Sequence, residues 1–347
     1  MDSASPTRRR ARGALSNEAG RFDLARIPDM AEAGPAPTVV VEERVGQALT
    51  RNASPDVGFD RAVNPYRGCE HGCVYCYARP THAFLGLSPG LDFETRITAR
   101  PGSAAALRAE LDARGYEPRP VAIGTVTDAY QPAERDRGVT RAVLEVLAEC
   151  GHPAIVFTKG ALVERDLDLL APMAERGLAR VCVSVTTLDA GLARRLEPRA
   201  PPPERRLRAI EALAEAGVPV RLMASPLIPA LTDHELERIL EAGRDAGATG
   251  VSVIPLRLPL EVAGLFREWL DEHVPDRAER VMGRVRELHG GRDYDPAFGR
   301  RMTGQGVWAA LLRRRVEVAR RRLGLAERMP DLRTDLFVPP GGQLRLL

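Results

Sequence analysis

The sequence predicts an α/β protein in which six β/α units follow one another along the chain. Short runs of β-branched or apolar residues alternate with amphipathic stretches from about residue 58 to 272. Each run is long enough for a strand buried on both faces. Several of the amphipathic stretches end in glycine, the residue that favours a helix C-cap. This alternation predicts βαβ units and a parallel sheet.

Six strands are predicted, and the first lies around residues 59–66, just before a cluster of cysteines. Periodicity alone does not distinguish an open doubly wound sheet from a partial barrel. In either fold, ligands bind at the carboxyl ends of the strands, where the following loops gather. The other five strands are "VAIGTVT" (121–127), "AIVFTK" (154–159), "RVCVSVTT" (180–187), "VPVRLMASP" (218–226) and "GVSVIPL" (250–256).

The strands and helices predict three regions in the chain. Residues 1–45 are rich in Pro, Ala, Gly, Ser and Arg without periodicity, which predicts a loosely ordered N-terminal arm. Residues 46–275 hold the six units, and residues 276–347 form a helical, arginine-rich C-terminal extension and tail. The predicted helices between strands are "VTRAVLEVLAEC" (139–150), "ERDLDLLAPMAERG" (164–177), "PERRLRAIEALAEAG" (203–217) and "TDHELERILEAGRDAG" (232–247).

Length and composition favour a cytoplasmic protein. With 347 residues and 44% apolar residues, the chain has enough apolar side chains for one large or two smaller domains. No run approaches the roughly eighteen apolar residues of a membrane helix. The first twenty residues contain arginines but no apolar segment, so they do not resemble a secretory signal. No membrane partner is therefore expected.

Three of the five cysteines lie within eight residues, in "GCEHGCVYC" (68–76). An odd number of clustered cysteines predicts metal or redox chemistry in a reducing compartment rather than a disulfide framework. A structural zinc ion takes four protein ligands, usually with cysteines paired two residues apart. Here the spacing is C-x3-C-x2-C, so His71 or His82 would have to supply the fourth ligand. His71 is badly placed for this because it lies between two of the cysteines.

An iron-sulfur cube is the alternative, because each of its four irons takes one thiolate. Cys69, Cys73 and Cys76 would leave one iron open, and an open iron invites a substrate or cofactor. The other cysteines, Cys150 and Cys182, lie far along the chain at a predicted helix end and within a predicted strand. The residues alone leave both the zinc site and the open cluster standing.

With an aromatic residue, Tyr75, before its last cysteine, the C-x3-C-x2-C pattern resembles the signature of the radical S-adenosylmethionine (SAM) enzymes. The wider context resembles the branch of that superfamily related to spore photoproduct lyase, over about residues 58–260. The arm and tail resemble uncharacterised bacterial members of this branch. This resemblance implies a partial (β/α)6 TIM-like barrel of the radical SAM type. The stretches that carry it are "NPYRGCEHGCVYCYARP", "TDAYQPAE", "FTKG", "RLEPRAPPPERRLRAIEALAEAG" and "SPLIPALTD".

The resemblance implies that the three clustered cysteines hold a four-iron four-sulfur (4Fe-4S) cluster whose open iron binds SAM. An electron from the cluster would split SAM into methionine and a 5′-deoxyadenosyl radical, which abstracts hydrogen from a substrate that the sequence does not identify. An electron donor such as flavodoxin or ferredoxin is implied as a partner. Gly68 and Gly72 agree with this interpretation, because glycine lets the chain curl around a bulky cube.

The resemblance also matches five residues to SAM contacts. Lys159 is the single lysine among 50 basic residues. Its ammonium, at the end of the third strand, suits the carboxylate of SAM's methionine moiety. Residues that act on the substrate itself are not identified. The five matched residues are Tyr77, Thr127, Asp128, Lys159 and Ser184.

Two further features have more than one interpretation. Glu134 either opens the following helix, where a carboxylate suits the helix dipole, or bonds a ligand amine. Glu197 and Arg199 either pair with each other or contact a ligand.

The chain departs from spore photoproduct lyase at the second strand. In that enzyme a cysteine near the end of this strand returns a hydrogen atom to the product, and "GTVTDAY" (124–130) contains none. We interpret Cys150 and Cys182 as small buried hydrophobes. The missing cysteine argues against the same photolesion reaction, so a DNA photolesion lyase is kept only as an alternative function. A second alternative is a non-catalytic iron-sulfur or zinc binding module.

Support for nucleic acid as a partner is weak. The runs "RRRAR" (8–12) and "LLRRRVEVARRR" (311–322) offer the charge that phosphate contacts require. Neither run is interleaved with the aromatic residues that stack on bases. The chain as a whole prefers arginine and has a net charge of only +3.

Overall fold

The computed structural model describes residues 12–22 and 37–341. Within these residues the strands form one large and one small sheet. The strands are β1 (Val39–Glu42), β2 (Leu49–Arg51), β3 (Arg61–Val63), β4 (Tyr66–Arg67), β5 (Arg96–Ala99), β6 (Val121–Ile123), β7 (Ala154–Thr158), β8 (Ala179–Ser184), β9 (Val220–Leu227) and β10 (Gly250–Pro255).

The large sheet has the strand order β10-β9-β8-β7-β6-β3-β2. Its six strands from β3 to β10 are parallel and neighbour one another in chain order, and β2 pairs antiparallel to β3 at one edge. A doubly wound sheet reverses its strand order at a switch point, and this sheet does not. The sheet therefore has the single winding of a partial barrel, with β10 and β2 as its open edges.

The helices pack mainly against one face of this sheet. The main hydrophobic core lies between that face and helices α2, α4, α5, α7 and α8. The helices are α1 (Asp92–Thr95), α2 (Ser103–Leu111), α3 (Glu134–Arg137), α4 (Val139–Glu149), α5 (Leu167–Glu175), α6 (Ala190–Leu196), α7 (Pro203–Glu215), α8 (Leu236–Asp245), α9 (Val262–His273), α10 (Pro275–Leu288) and α11 (Gly306–Leu323). Short 3-10 helices span Arg79–Leu85, Ala161–Asp166 and Asp233–Glu235.

The six predicted parallel strands are confirmed, but the first two are much shorter than expected. The first leaves the sheet after Val63, and its continuation pairs in a separate three-stranded sheet of order β1-β5-β4, which was not predicted. The second ends at Ile123 because Gly124 turns the chain with φ of 84°. The Asn64 side chain then accepts the amides of Thr125 and Val126, each at 3.0 Å. This contact is not visible in a propensity pattern.

The predicted helical C-terminal extension is present, and its longest helix is α11. Two arginines of α11 pair with carboxylates of α8: Arg315 with Glu237 at 2.7 Å, and Arg322 with Glu241 at 2.5 Å. In the described ranges, no helix is both long and apolar enough to cross a lipid bilayer. Most of the run "RRRAR" and the last six residues of the tail lie outside the described residues.

A second hydrophobic core lies between α6, α9, α10 and the segment that carries the clustered cysteines. Trp269 of α9 is fully buried there, stacks on Phe266 at 5.9 Å between ring centroids, and donates from Nε1 to the Arg195 carbonyl at 2.9 Å. Helices α9 and α10 therefore pack against the cysteine segment through the same core.

We expect Trp269→Ala to lower the free energy of unfolding by about 3–5 kcal/mol, the usual cost of emptying a large aromatic site. Chemical denaturation of the cluster-free protein measures the loss. The matched control is Trp308→Ala, because Trp308 is only partly buried and should cost clearly less. Equal losses for the two variants would contradict the assigned packing.

Candidate functional site

The three clustered cysteines lie on the loop that follows β3, at the carboxyl end of the parallel sheet. We call residues 68–76 the cysteine loop. Its turns need glycine: Gly68 has φ of 77° and Gly72 has φ of 66°. A Cβ on Gly68 would lie 2.9 Å from the Phe93 carbonyl oxygen, and one on Gly72 would lie 2.7 Å from a Glu94 carboxylate oxygen. The loop is therefore shaped by backbone conformations and spaces that other residues cannot use.

The three cysteines of the loop are free thiols that lie close together. Cys69 and Cys73 are buried and Cys76 is partly exposed. Burial, with the nearby Asp128 carboxylate and the other two sulfurs, raises the pKa of Cys69 well above its usual value. Burial raises the pKa of Cys73 as well, against the opposing charge of Lys159. The raised pKa values keep these thiols protonated, and a bound metal or cluster would replace their protons.

This donor set fits an iron-sulfur cluster better than a single metal ion. Thiolates of a cluster bind separate irons, so their sulfurs need not converge on one point. Across the described part of the chain, no set of three His, Cys, Asp or Glu side chains is arranged to hold one ion. The only cysteines outside the loop are Cys150, at the end of α4, and Cys182, within β8. Three thiols on one glycine-shaped loop are what an open cluster requires.

The loop after β6 holds the cysteine loop through two side chains. The Thr127 hydroxyl donates to the Gly68 carbonyl at 2.6 Å. Gln131 donates from Nε2 to the Thr127 hydroxyl at 3.0 Å, and its Oε1 accepts the Glu70 amide at 2.9 Å. Both side chains are buried, so the hydrogen bonds are shielded from water. The start of the cysteine loop is therefore fixed to the second parallel-strand unit.

Asp128 connects the cysteine loop to the end of β7. Its Oδ1 accepts the Thr158 hydroxyl at 2.6 Å, and its Oδ2 accepts the Lys159 amide at 2.7 Å. The His71 Nδ1 atom lies 3.3 Å from Oδ2. Burial acts to raise the pKa of Asp128, but the His71 ring and these hydrogen bonds outweigh it and lower the pKa below its usual range. Asp128 is thus held as a carboxylate by groups from two loops.

A buried ion pair supports the other side of the cysteine loop. The Tyr75 hydroxyl donates to Glu197, which pairs with Arg206 and also accepts the Thr186 hydroxyl at 2.9 Å. Glu197 and Arg206 are both 1% exposed, and Arg206 donates further to backbone carbonyls. Since the carboxylate and the guanidinium are both satisfied, the pair is a stable anchor for Tyr75.

The pairing of Glu197 with Arg199, one of the two interpretations of these residues, is not what the structure contains. Arg199 lies 3.1 Å from Glu70 of the cysteine loop, while Glu197 binds Arg206. Arg206 lies nine residues beyond Glu197, in α7, so the pair depends on how α7 returns to the sheet. Short-range spacing therefore does not reveal the partner of Glu197.

The five residues matched to SAM contacts lie on loops or strand ends at the same edge of the sheet. Lys159 is partly buried, with Nζ 5.9 Å from the centroid of the Tyr75 ring. Tyr77 is 46% exposed, donates to the Thr125 carbonyl, and has the Arg257 guanidinium 4.7 Å above its ring.

Ser184 ends β8 and is partly exposed. Thr127 and Asp128 differ from the other matched residues, because protein groups already occupy their side chains. Contact of any of the five with SAM stays a prediction.

Glu134 opens the following helix, as one of its two interpretations expected. Its carboxylate accepts the Thr140 amide at 2.9 Å and the Arg141 amide at 3.3 Å, both in the first turn of α4. It is fully buried and also accepts Arg165 at 2.7 Å and the Tyr66 hydroxyl. These partners leave it a structural helix cap.

Sequence reasoning missed several residues that organise the site. Their common property is a side-chain contact set by tertiary packing, which no local spacing reveals. Gln131 lies within "TDAYQPAE", one of the stretches that carry the family resemblance, so this stretch could have pointed to it. The contact of His71 with Asp128 was missed, and so were the residues Arg79, Glu94, Gln131, Thr158, Thr186 and Arg206.

Comparison with known proteins identifies relatives of this chain. The family model of the radical SAM superfamily matches residues 63–243. An uncharacterised protein of Mycobacterium tuberculosis is 39% identical over 251 residues, which cover 72% of this chain and 73% of the relative. An uncharacterised protein of Methanocaldococcus jannaschii is 26% identical over 228 residues, covering 66% of this chain and 82% of the relative.

Two solved structures share the fold. A spore photoproduct lyase variant superimposes with a TM-score of 0.59 at 16% identity, covering 84% of this chain and 82% of that chain. A second variant, with bound SAM and dinucleoside spore photoproduct, gives a TM-score of 0.50 at 17% identity, covering 70% of this chain and 68% of that chain. The fold implied by the resemblance, a partial barrel of the radical SAM type, is thereby confirmed.

We expect Asp128→Asn to destabilise the cluster-free protein at pH 7 by about 1–3 kcal/mol, because buried donors lose a charged acceptor. The folded pKa is lowered, so the carboxylate contributes stability above the pKa of the unfolded chain and loses it as pH falls through the folded pKa. The difference between the two proteins should hold from pH 7 to about 5 and shrink below about 4.

Chemical denaturation across this pH series measures the effect of Asp128→Asn. The matched control is Asp168→Asn, because the Asp168 side chain is 57% exposed and pairs with Arg141 at the surface. Its loss should be small at every pH. If Asp128→Asn loses no more stability than the control, Asp128 does not connect the cysteine loop to the end of β7 as described.

Proposed function

As the chain belongs to the radical SAM superfamily, we propose that Cys69, Cys73 and Cys76 hold a 4Fe-4S cluster with one iron left for SAM. The observation that carries this proposal is the group of three free, adjacent thiols on the glycine-shaped cysteine loop at the carboxyl end of the sheet. When bound, the cluster and SAM would supply a 5′-deoxyadenosyl radical that abstracts hydrogen from a substrate still to be identified.

Lys159 is the residue best suited to bind the carboxylate of SAM. It follows β7 directly and lies beside Tyr75 and Cys73. Within the described ranges, no carboxylate lies within ion-pair distance of its ammonium, whereas most arginines there have such a partner. A partly buried cation without a carboxylate partner favours an anionic ligand.

The other matched residues would complete the pocket from neighbouring loops. Tyr77 offers a half-exposed ring for the adenine or ribose of SAM, and Ser184 offers a hydroxyl. We propose that Thr127 and Asp128 serve SAM by fixing the surfaces around it, since one holds Gly68 and the other holds the Lys159 backbone. The chain's own residues would thus bind and orient SAM, and the cofactor would supply the radical for hydrogen abstraction.

The setting of the proposed reaction follows from its chemistry. An external one-electron donor such as flavodoxin or ferredoxin would reduce the cluster. A reducing cytoplasm would keep the three thiols available as ligands. The partner that supplies the electron must reach the cysteine loop, whose Cys76 is partly exposed.

The alternative functions are less well supported. A DNA photolesion lyase would need another hydrogen donor, because the loop after β6 has no cysteine. Two arginines of α11, Arg315 and Arg322, pair with carboxylates of α8, which reduces the charge that this helix offers to phosphates. A zinc module would need ligands converging on one ion, which the described residues lack. These observations favour a catalytic radical SAM protein whose substrate class is still open.

We expect Cys73→Ala to lose the cluster and SAM cleavage, because only two of the three thiols remain. Anaerobic reconstitution should give the wild-type protein about four irons per chain. Reduction with dithionite in the presence of SAM, followed by chromatography, should then yield 5′-deoxyadenosine. Cys150→Ala is the matched control and should keep both iron and product. Unchanged 5′-deoxyadenosine from Cys73→Ala would overturn the ligand assignment, and one zinc in place of iron would overturn the function.

We expect Lys159→Ala to weaken SAM binding about tenfold or more, the usual consequence of losing a charged hydrogen bond, while iron content is unchanged. Equilibrium binding of SAM to the reconstituted protein measures this effect. Lys159→Arg keeps the charge and should recover part of the affinity. If Lys159→Ala binds SAM as tightly as the wild-type protein, the lysine is not in the pocket.

A further inference from the structure

A segment near the N-terminus lies directly across the cysteine loop. We call residues 12–18 the N-terminal strap. A Cβ on Gly13 would lie 1.8 Å from the Gly72 carbonyl oxygen and 3.1 Å from the Val74 amide nitrogen. The two backbones are therefore in contact, and only glycine fits between them. The strap touches the loop at Gly72 and Val74, the two residues on either side of Cys73.

The strap is held by the buried carboxylate of Glu94, in α1. The Gly13 amide donates to Oε2 at 2.9 Å and the Ala14 amide donates to Oε1 at 2.8 Å. Arg12 donates to the Glu94 backbone carbonyl at 3.0 Å. Glu94 is fully buried, so these bonds do not compete with water. Consecutive backbone amides thus bind one carboxylate from above.

Glu94 also connects the strap to the backbone of Cys73, through Arg79. It forms an ion pair with Arg79 at 2.5 Å, and both side chains are fully buried. Arg79 donates from Nε to the Cys73 carbonyl at 2.9 Å. A buried ion pair is costly unless hydrogen bonds satisfy its remaining atoms, and the strap amides supply two of them. Strap, Glu94, Arg79 and Cys73 therefore form one connected chain of contacts.

The rest of the strap is anchored at points away from the loop. Asn17 and Asp92 bond reciprocally: the Asp92 amide donates to Asn17 Oδ1 at 3.1 Å, and Asn17 Nδ2 donates to Asp92 Oδ1 at 3.4 Å. The Ser16 hydroxyl donates to Glu268 of α9 at 2.8 Å. These hydrogen bonds fix the position of the strap against the cysteine loop.

We propose that the N-terminal strap is a clasp that holds the cysteine loop in its binding conformation before any cluster is present. Gly13 and Glu94 act as positioning residues: Gly13 allows the contact and Glu94 secures it. That the held conformation serves a 4Fe-4S cluster rests on the proposed function; the clasp itself does not. A loop with two left-handed glycines is expected to open easily without such a restraint, because glycine gains more freedom than other residues.

Gly13→Ala tests the clasp, because its methyl group cannot coexist with the Gly72 carbonyl. The cluster-free protein is treated with N-ethylmaleimide under anaerobic conditions, and the labelling rate of each cysteine is followed by peptide mass spectrometry. Loss of two buried hydrogen bonds, each corresponding to about fivefold in an equilibrium constant, should speed labelling of Cys69 and Cys73 about tenfold or more. Labelling of Cys150 and Cys182 should not change.

Two further variants keep the result interpretable. Gly46→Ala is the matched control, because a Cβ there meets nothing within 4 Å, and it should label as the wild-type protein does. Glu94→Gln keeps the shape but replaces an acceptor oxygen with a donor, and it should accelerate the same two cysteines. Anaerobic reconstitution of all variants then reports iron per chain and the electron paramagnetic resonance spectrum of the reduced cluster.

Faster labelling confined to the cysteine loop, in a variant that still melts in one cooperative transition, supports the clasp. Wild-type labelling rates for Gly13→Ala overturn it. Equal acceleration at all five cysteines also overturns it, because the strap would then be an ordinary part of the fold. If the wild-type protein takes up no iron, the proposed function fails, while the labelling result still decides the clasp.

Discussion

The site depends on one constraint: a short loop must hold three thiols together although two of its residues are glycines in left-handed conformations. Such a loop has little conformational preference of its own, so its shape has to come from contacts outside it. Gln131, Glu197 and Arg79 each reach it from a different element and bond a different part of it. The single-wound parallel sheet makes this possible, because it gathers the carboxyl ends of its strands at one edge.

Electrostatics divides the buried charges at this edge into two groups. Asp128, and the pair of Glu197 with Arg206, are satisfied by protein partners and act as fixed anchors. Lys159 has no carboxylate partner among the described residues and faces the cysteine loop across the Tyr75 ring. Because this ammonium lies beside the cysteine loop and pairs with no carboxylate there, it marks where an anionic ligand is expected.

Sequence predicted the architecture well because periodicity reports burial directly. The parallel strands, the helices between them and the helical extension all follow from apolar patterns, and three cysteines at radical SAM spacing indicate the chemistry. Contacts set by tertiary packing were not predictable in this way. Glu197 pairs with Arg206, whereas its near neighbour Arg199 pairs with Glu70. The Asn64 side chain accepts two amides just after the end of the second strand. The packing of residues 12–18 on the cysteine loop likewise left no pattern in a segment rich in small residues.

With three cysteines as ligands, one iron of a 4Fe-4S cube would be open for SAM. Mössbauer spectroscopy of the protein reconstituted with iron-57 tests this most directly, with spectra taken before and after SAM is added. The account predicts that the signal of one iron in four shifts on addition of SAM while the other three stay unchanged. A spectrum that SAM does not alter, or four irons that already behave alike, would contradict it.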